Sequence, residues 1–445
     1  MSSNREKPKK PNPGDFRYAV EGARIPWHAV GERYNPSDAL AVVKFLFPPS
    51  GENDAAYGEA LGEIGRGLEG LFAAGRSASK LTLGREVEKA EELAREQLGV
   101  KYASFTCNWT AGMETAYKLG GVGPGDEVIV PALTFIATVA YPLMIGAKVV
   151  FADIDPDTLG LDPEDVARKI TRRTKMIVPV HVGGYACDMD PIMQLAGEHD
   201  IFVQEDAAHA LGATYKGRQL GTIGHFGGYS FHEVKNINSF GEGGLLVSNH
   251  ELGKQFGKAR FLGLDFTRQI PDWLYDVTAL DDRFGRPQIA SNSSATELQA
   301  LGFRLQFERL PEIIASRRRN AEFLCASFAA EPAIILPPQD TAETASSHHL
   351  FPLRIDAGAL NGDIQSVKFK LKEKGVTEIA HFGPLYKFEI LRQLGYEQKS
   401  IAATCPRTEE MFRHGYTHLP LYPLDDEQVA YMAETVLETV RALKR

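Results

Sequence analysis

The chain has 445 residues, 43% of them hydrophobic and 24% charged, with a formal net charge of −9 at pH 7. This length allows two domains with separate cores, and the composition is that of an ordinary globular protein rather than a disordered or fibrous one. The negative balance argues against a nucleic-acid partner, whose phosphates call for clustered Lys and Arg.

Nowhere do 18 apolar residues follow one another, so no membrane span is expected, and the polar N-terminus lacks the apolar core of a signal peptide. Cys107, Cys187, Cys325 and Cys405 lie far apart with no CxxC pair. They read as reduced thiols of a cytoplasmic protein.

In chain order, residues 1–14 have too few apolar side chains for a core and read as a disordered tail. Residues 15–80 form an N-terminal extension. In it 37–47 reads as helix, Pro48-Pro49-Ser50-Gly51 interrupts, and 59–74 resumes. No function attaches to this segment.

Regularity begins at Gly84. An amphipathic helix is expected over 86–98, a strand over 102–106, and a second helix opening at Asn108-Trp109-Thr110-Ala111-Gly112. A strand feeding a helix through small polar residues is a ready anion site, because free N–H groups and the helix dipole face the ligand. Strands at 127–130, 148–153, 175–181 and 201–206 then alternate with helices at 137–145, 163–170 and 189–199. Nearly continuous apolar strands between helices predict a mainly parallel sheet covered on both faces, with ligands at the carboxyl ends of its strands. Asp206 and the 108–110 turn lie at such ends.

The stretch 229–244 organises the rest. A strand at 228–232 enters a loop carrying Lys235, and the glycine-rich turn Gly241-Glu242-Gly243-Gly244 leads into a strand at 245–248. Desolvation disfavours an ammonium and pushes a lysine towards the neutral, nucleophilic amine that can form a Schiff base. The run 221–228 (GTIGHFGG) is rejected as a dinucleotide loop because no strand-to-helix context frames it. His181, Cys187 and Asp188 are rejected as a metal site because no second ligand pair accompanies them.

Helices are expected over 251–260, 296–307 and 311–329, the last with Arg317-Arg318-Arg319 as a solvated face. A smaller α/β unit follows, with a strand at 349–355, a helix at 364–374, an irregular segment at 381–386 and a final helix at 426–443. The domain change is placed near Leu310. The expected organisation is therefore a tail (1–14), an extension (15–80), a large domain (81–310) and a small C-terminal domain (311–445).

Together Thr110, Asp206, Ser230 and Lys235 suit pyridoxal phosphate. The lysine would hold the cofactor, the carboxylate would keep the pyridine nitrogen protonated, and hydroxyls at a helix start would hold the phosphate. From about Leu81 to its end the chain resembles the DegT/DnrJ-type sugar aminotransferases. The matching pieces are GPGDEVIVPALTFIAT, VVFADIDPDTLGLDP, TKMIVPVHVGG with CDMD, EDAAHALGATYKG, SFHEVKNINSFGEGG and THLPLYP. The resemblance implies an aspartate-aminotransferase-like, fold-type I α/β architecture, with a mainly parallel, seven-stranded-type sheet and a smaller C-terminal α/β domain.

It further implies that Lys235 is the Schiff-base lysine and Asp206 the partner of the pyridine nitrogen. Ser230, Thr110 and Ala111 become phosphate contacts, Phe135 the ring-stacking residue, and His209 a neighbour of the cofactor ring. Asn292 would reach the phosphate of a neighbouring subunit, so a homodimer with shared sites is implied. His381 and Tyr386 fall in the substrate region. The implied activity is transfer of an amino group from glutamate or glutamine to a keto sugar, nucleotide-linked, or to a cyclitol ketone. Two alternatives within the family are a sugar dehydratase, whose relatives carry His at the lysine position, and a non-catalytic regulatory role, which would go with a degraded site. The chain departs from the pattern at Trp109, where a small residue is usual, at Ser294, where many members have Arg or Lys, at Tyr386, where a second His is often found, and in its long N-terminal segment. A ring at 109 is expected to narrow the site or shift the phosphate.

Overall fold

A computed structural model describes residues 34–51, 53–75, 81–82, 84–265, 267–268, 276–378 and 383–445. The expected tail over 1–14 and His381 lie outside the described residues.

Seven strands form one sheet, in the spatial order Tyr102–Thr106, Gly244–Ser248, Phe226–Ser230, Phe202–Asp206, Thr174–Ile177, Glu127–Pro131 and Lys148–Ala152. Gly244–Ser248 runs antiparallel to both its neighbours, and the other four pairings are parallel. The strands are short apolar runs buried along their length: Val128-Ile129-Val130, Met176-Ile177 and Leu245-Leu246-Val247 are each at most 1% exposed. A strand buried on both faces needs helices on both faces. Arg85–Leu98 lays Val87, Ala90, Ala94 and Leu98 against the core on one side. Trp109–Leu119 packs Met113, Ala116, Tyr117 and Leu119 into the cluster on the other.

The ladder at Thr174–Ile177 is shorter than the expected 175–181. Pro179 has no N–H to give, so regular pairing lapses there and resumes as a single parallel bridge, Val180 to Asp206. The expected helix over 251–260 is a 3₁₀ turn, Glu251–Gln255, followed by Phe256–Ala259. The GTIGHFGG run wraps a buried carboxylate. Glu205 accepts the N–H groups of Gly221 (2.8 Å), Ile223 (2.5 Å) and Gly224 (2.6 Å).

A second antiparallel sheet orders Ile334–Ile335, Leu350–Ile355 and Tyr416–Pro420. With Leu310–Phe328, Ile364–Glu373 and Asp426–Ala442 it encloses a separate apolar cluster that includes Leu324, Phe328, Leu353, Leu371 and Val436. The strand Tyr416–Pro420 was not anticipated. Nor is 317–319 wholly a solvated face, as expected. Arg317 is buried and donates to the His349 carbonyl at 3.1 Å, while Arg318 pairs with Asp340 at 3.1 Å.

Ahead of both sheets, Pro36–Leu46 and Asp54–Ala74 form a helical hairpin that buries none of its side chains. The first helix is stopped from fraying by a capping box, in which Asn35 Oδ1 accepts from Ser37 and Asp38 while Asp38 accepts from Asn35. Every cysteine is a free thiol. Among the described residues no helix is long and apolar enough to cross a membrane.

Candidate active site

Lys235 sits in the loop between Phe226–Ser230 and Gly244–Ser248, and local bonds fix that loop. The Phe231 N–H donates to Gly243 at 2.8 Å, Glu233 to Gly241 at 3.0 Å, and Lys235 to His232 at 2.9 Å. Phe231 pins its base, with its ring 5.9 Å from Phe105 and 4.7 Å from Phe303, all three rings fully buried. Asn236 ties the far side to the second sheet by donating to the Ser347 carbonyl at 2.9 Å.

The Lys235 side chain faces a cavity of about 460 Å³, within the ~300–1,000 Å³ usual for small-molecule sites. Thr110, Phe135, Asp206, His209 and Ser230 line the same cavity. The carboxyl ends of three strands and the N-terminus of Trp109–Leu119 meet there, as strand-end ligand sites require. Burial pulls the Lys235 amine from its ordinary 10.5 down to about 8, against the opposing pull of the Asp206 carboxylate. About a tenth of the amine is therefore neutral at pH 7, against well under a thousandth for a free lysine.

Asp206 is held on both oxygens. Oδ1 accepts from the Trp109 indole Nε1 at 3.0 Å and from the Ala208 N–H at 3.2 Å, and Oδ2 accepts from Thr138 Oγ1 at 2.9 Å. Because the Thr138 proton goes to the carboxylate, the 2.8 Å contact between Thr134 and Thr138 has Thr134 as donor. Three donors on a group with about four acceptor positions leave room for one more donor. The bond to Ala208 also caps the turn after the strand, so local capping and exposure to the cavity coexist.

His209 is both a satisfied buried histidine and a wall of the cavity. Its Nδ1 accepts from the Gly183 N–H at 3.2 Å, and its ring lies 4.3 Å from that of His349. Burial first, then the charges of Lys235 and His349, hold His209 well below the usual imidazole range, so it is neutral. Phe135 is 55% exposed on the cavity wall. An aromatic face turned to a cavity is a surface on which a planar ligand can stack. At the helix start, Asn108 Oδ1 already caps the Ala111 N–H at 2.9 Å, while Thr110 and Ser230 carry hydroxyls that border the cavity.

Other expected residues lie elsewhere. Ala111 is beside the cavity but not on its wall. Asn292 is exposed, and its Oδ1 accepts from the Ser294 N–H (3.2 Å) and Oγ–H (2.8 Å). Tyr386 is fully buried, edge-on to Phe151, and donates its hydroxyl to Glu409. Sequence reasoning missed Thr134, Thr138 and His349, whose Nδ1 meets Asn236 Oδ1 at 2.9 Å. Thr138 lay in view within the TFIAT run. His349 had no signal beyond its place ahead of a strand.

The donor set fits pyridoxal phosphate: one amine with a depressed pKa, one fixed carboxylate with an acceptor position left, hydroxyls at a helix N-terminus and an exposed ring. A larger open groove of about 760 Å³ runs along Lys148–Ala152. Its lysines are engaged there, Lys148 with Glu127 at 3.5 Å, and Lys169 with Asp165 at 2.7 Å and the Phe151 carbonyl at 2.6 Å.

Comparison with known proteins gives the family of the chain. The model of the DegT/DnrJ/EryC1/StrS aminotransferase family matches residues 71–437. The spore coat polysaccharide biosynthesis protein SpsC of Bacillus subtilis is 33% identical over 373 residues, 81% of this chain and 91% of that protein. GDP-perosamine synthase of Caulobacter vibrioides is 32% identical over 325 residues, 73% of this chain and 83% of that one. Among solved structures, the PMP-form of the putative sugar aminotransferase Spr1654 from Streptococcus pneumoniae superposes with a TM-score of 0.72 at 28% identity, covering 82% of this chain and 94% of that one. The fold is therefore the fold-type I architecture expected from the sequence. The helix Pro36–Leu46 lies wholly ahead of the family match.

Proposed function

The chain belongs to the DegT/DnrJ/EryC1/StrS aminotransferase family and is a pyridoxal-phosphate-dependent transaminase; from that premise we propose that it transfers an amino group from glutamate or glutamine to the ketone carbon of a nucleotide-linked sugar or a cyclitol. The observation that carries this reading is one cavity bordered by both the depressed Lys235 amine and the fixed Asp206 carboxylate. A relative named for a GDP-linked sugar supports the nucleotide-linked acceptor.

The cofactor, when bound, supplies the electron sink that a carbanion needs. Lys235 Nζ would hold the cofactor's aldehyde carbon and, as a neutral amine, would move the proton at the donor's Cα. Asp206 would hold the proton on the ring nitrogen. Thr110, Ser230 and the N-terminal N–H groups of Trp109–Leu119 would bind the phosphate. Phe135 covers the ring, and neutral His209 borders it without adding a competing charge.

Asn292 is assigned to the site of a second copy, a role its exposed position supports, and the active unit is a homodimer. His381 is assigned to the substrate. Tyr386 is assigned a supporting part: the Leu385 N–H next to it donates to the Ala132 carbonyl at 2.9 Å, which ties this segment to the turn carrying Phe135. The division into a large unit over 81–310 and a small one over 311–445 belongs to the same proposal, supported by the separate cluster around Phe328 and Leu353. The test is amine formation on candidate keto sugars with purified protein, cofactor and either donor, followed by mass spectrometry. Lys235→Ala is expected to abolish it, and a normal rate in that variant would overturn the assignment.

A further inference from the structure

At position 109 a tryptophan stands where the family usually has a small residue, and it lines the cavity. Only 4% of it is exposed. It lies between two glycines that leave room for it. A Cβ on Gly228 would fall 2.2 Å from the indole Cζ3, and one on Gly112 would fall 2.8 Å from Cε3. Real Cβ atoms do not approach so closely, so neither position accepts another residue while the ring keeps its place. Gly228 is on the strand that leads to Lys235, and Gly112 is one turn along the ring's own helix.

This slot aims the indole N–H at Asp206 Oδ1, at 3.0 Å. A buried indole N–H needs an acceptor, and a hydrogen bond to a charged acceptor is roughly twice as strong as one between neutral groups. With Thr138 on Oδ2, the two side chains grip the carboxylate from both oxygens. We propose that Trp109 is a positioning residue that holds the Asp206 carboxylate in fixed orientation, so that it can hold the proton on the ring nitrogen of the cofactor; the role rests on the proposed cofactor reading. Thr138 completes the grip, and Gly112 and Gly228 are the space the arrangement requires.

Two measurements test it, one without cofactor. The chain has three tryptophans, so the indole N–H resonance of Trp109 is identified by its loss in Trp109→Phe. In the cofactor-free protein that resonance should move upfield in Asp206→Asn, where a neutral acceptor replaces a charged one. In the reconstituted protein, the pH midpoint of the cofactor's absorbance titration should rise by about one unit in Trp109→Phe. A like charge on the ring nitrogen then opposes protonation of the lysine-linked nitrogen less. Cofactor affinity should fall roughly tenfold in Trp109→Phe and in Thr138→Val, and less than additively with Asp206→Asn, because all three act through one group.

An indole resonance that ignores Asp206→Asn would overturn the hydrogen bond itself. A midpoint that moves in Asp206→Asn but not in Trp109→Phe would leave the cofactor reading standing and reduce Trp109 to filling space. Wild-type protein that takes up no cofactor would overturn the cofactor reading and, with it, this role.

Discussion

Replacing Lys235 with methionine in the cofactor-free protein removes a charge that the fold holds against its preference, at similar side-chain volume. The amine's pKa falls from 10.5 unfolded to about 8 folded, with burial as the main cause and Asp206 opposing it. Between these values the unfolded chain binds more protons, so wild-type stability rises with pH through the window from about 8 to 10.5. Below it the folded state carries the whole penalty, and above it none. At 1.36 kcal/mol per unit, the penalty is about 3 kcal/mol at pH 7.5 and about 1.4 kcal/mol at pH 9.5. Lys235→Met should therefore exceed wild type most at the lower pH, and its advantage should shrink by about 2 kcal/mol between the two. Any gain from methionine's own packing does not depend on pH and cancels in this difference. Urea unfolding of both proteins, cofactor-free and at one chain concentration, measures it at each pH. A stability gap that stays constant between pH 7.5 and 9.5 would refute the desolvated ammonium.

Asp206→Asn should lower the amino-donor half-reaction at least a hundredfold by stopped-flow absorbance, with the far-ultraviolet circular dichroism unchanged. The same substitution removes the attraction that holds the Lys235 pKa up. In the cofactor-free protein the pH midpoint for reaction of Lys235 with pyridoxal should therefore move from about 8 to a lower value, and an upward move would contradict the assigned causes. Phe135→Ala should weaken cofactor retention by roughly three- to tenfold, as loss of an aromatic stack does. Because the ring is 55% exposed, unfolding should change by less than ~0.5 kcal/mol. Phe303→Ala opens a hole beneath Phe231 and Phe105 and should cost about 3–5 kcal/mol in urea unfolding. A value under 1 kcal/mol would mean that these rings do not anchor the lysine loop.

The large sheet was legible because its strands are continuous apolar runs separated by amphipathic helices, and period and length alone identify such elements. The lysine loop was legible because SFHEVK and GEGG are local. Both turns of that loop are closed by bonds within fifteen residues, so sequence proximity carries the information. What stayed hidden depends on contacts between distant residues. The hydrogen bond and packing of Trp109 stayed hidden because its partners, Asp206 and Gly228, are 97 and 119 positions away. Tyr416–Pro420 was missed as a strand because Thr417 and His418 break the apolar run, yet both are fully buried. Arg317 read as solvated among three arginines, and only the fold shows its guanidinium turned onto the His349 carbonyl. The short helices Glu389–Gln393, Gln398–Ala403 and Pro406–Glu410 span too few residues to display a period.

The most direct test is the absorption spectrum of the purified protein after addition of pyridoxal phosphate, recorded again with glutamate and then with glutamine. The account predicts a visible cofactor band in wild type that converts to the pyridoxamine form with one of the two donors. It also predicts no such conversion at a catalytic rate in Lys235→Ala. A wild-type protein that shows no band with excess cofactor would contradict the account at its centre.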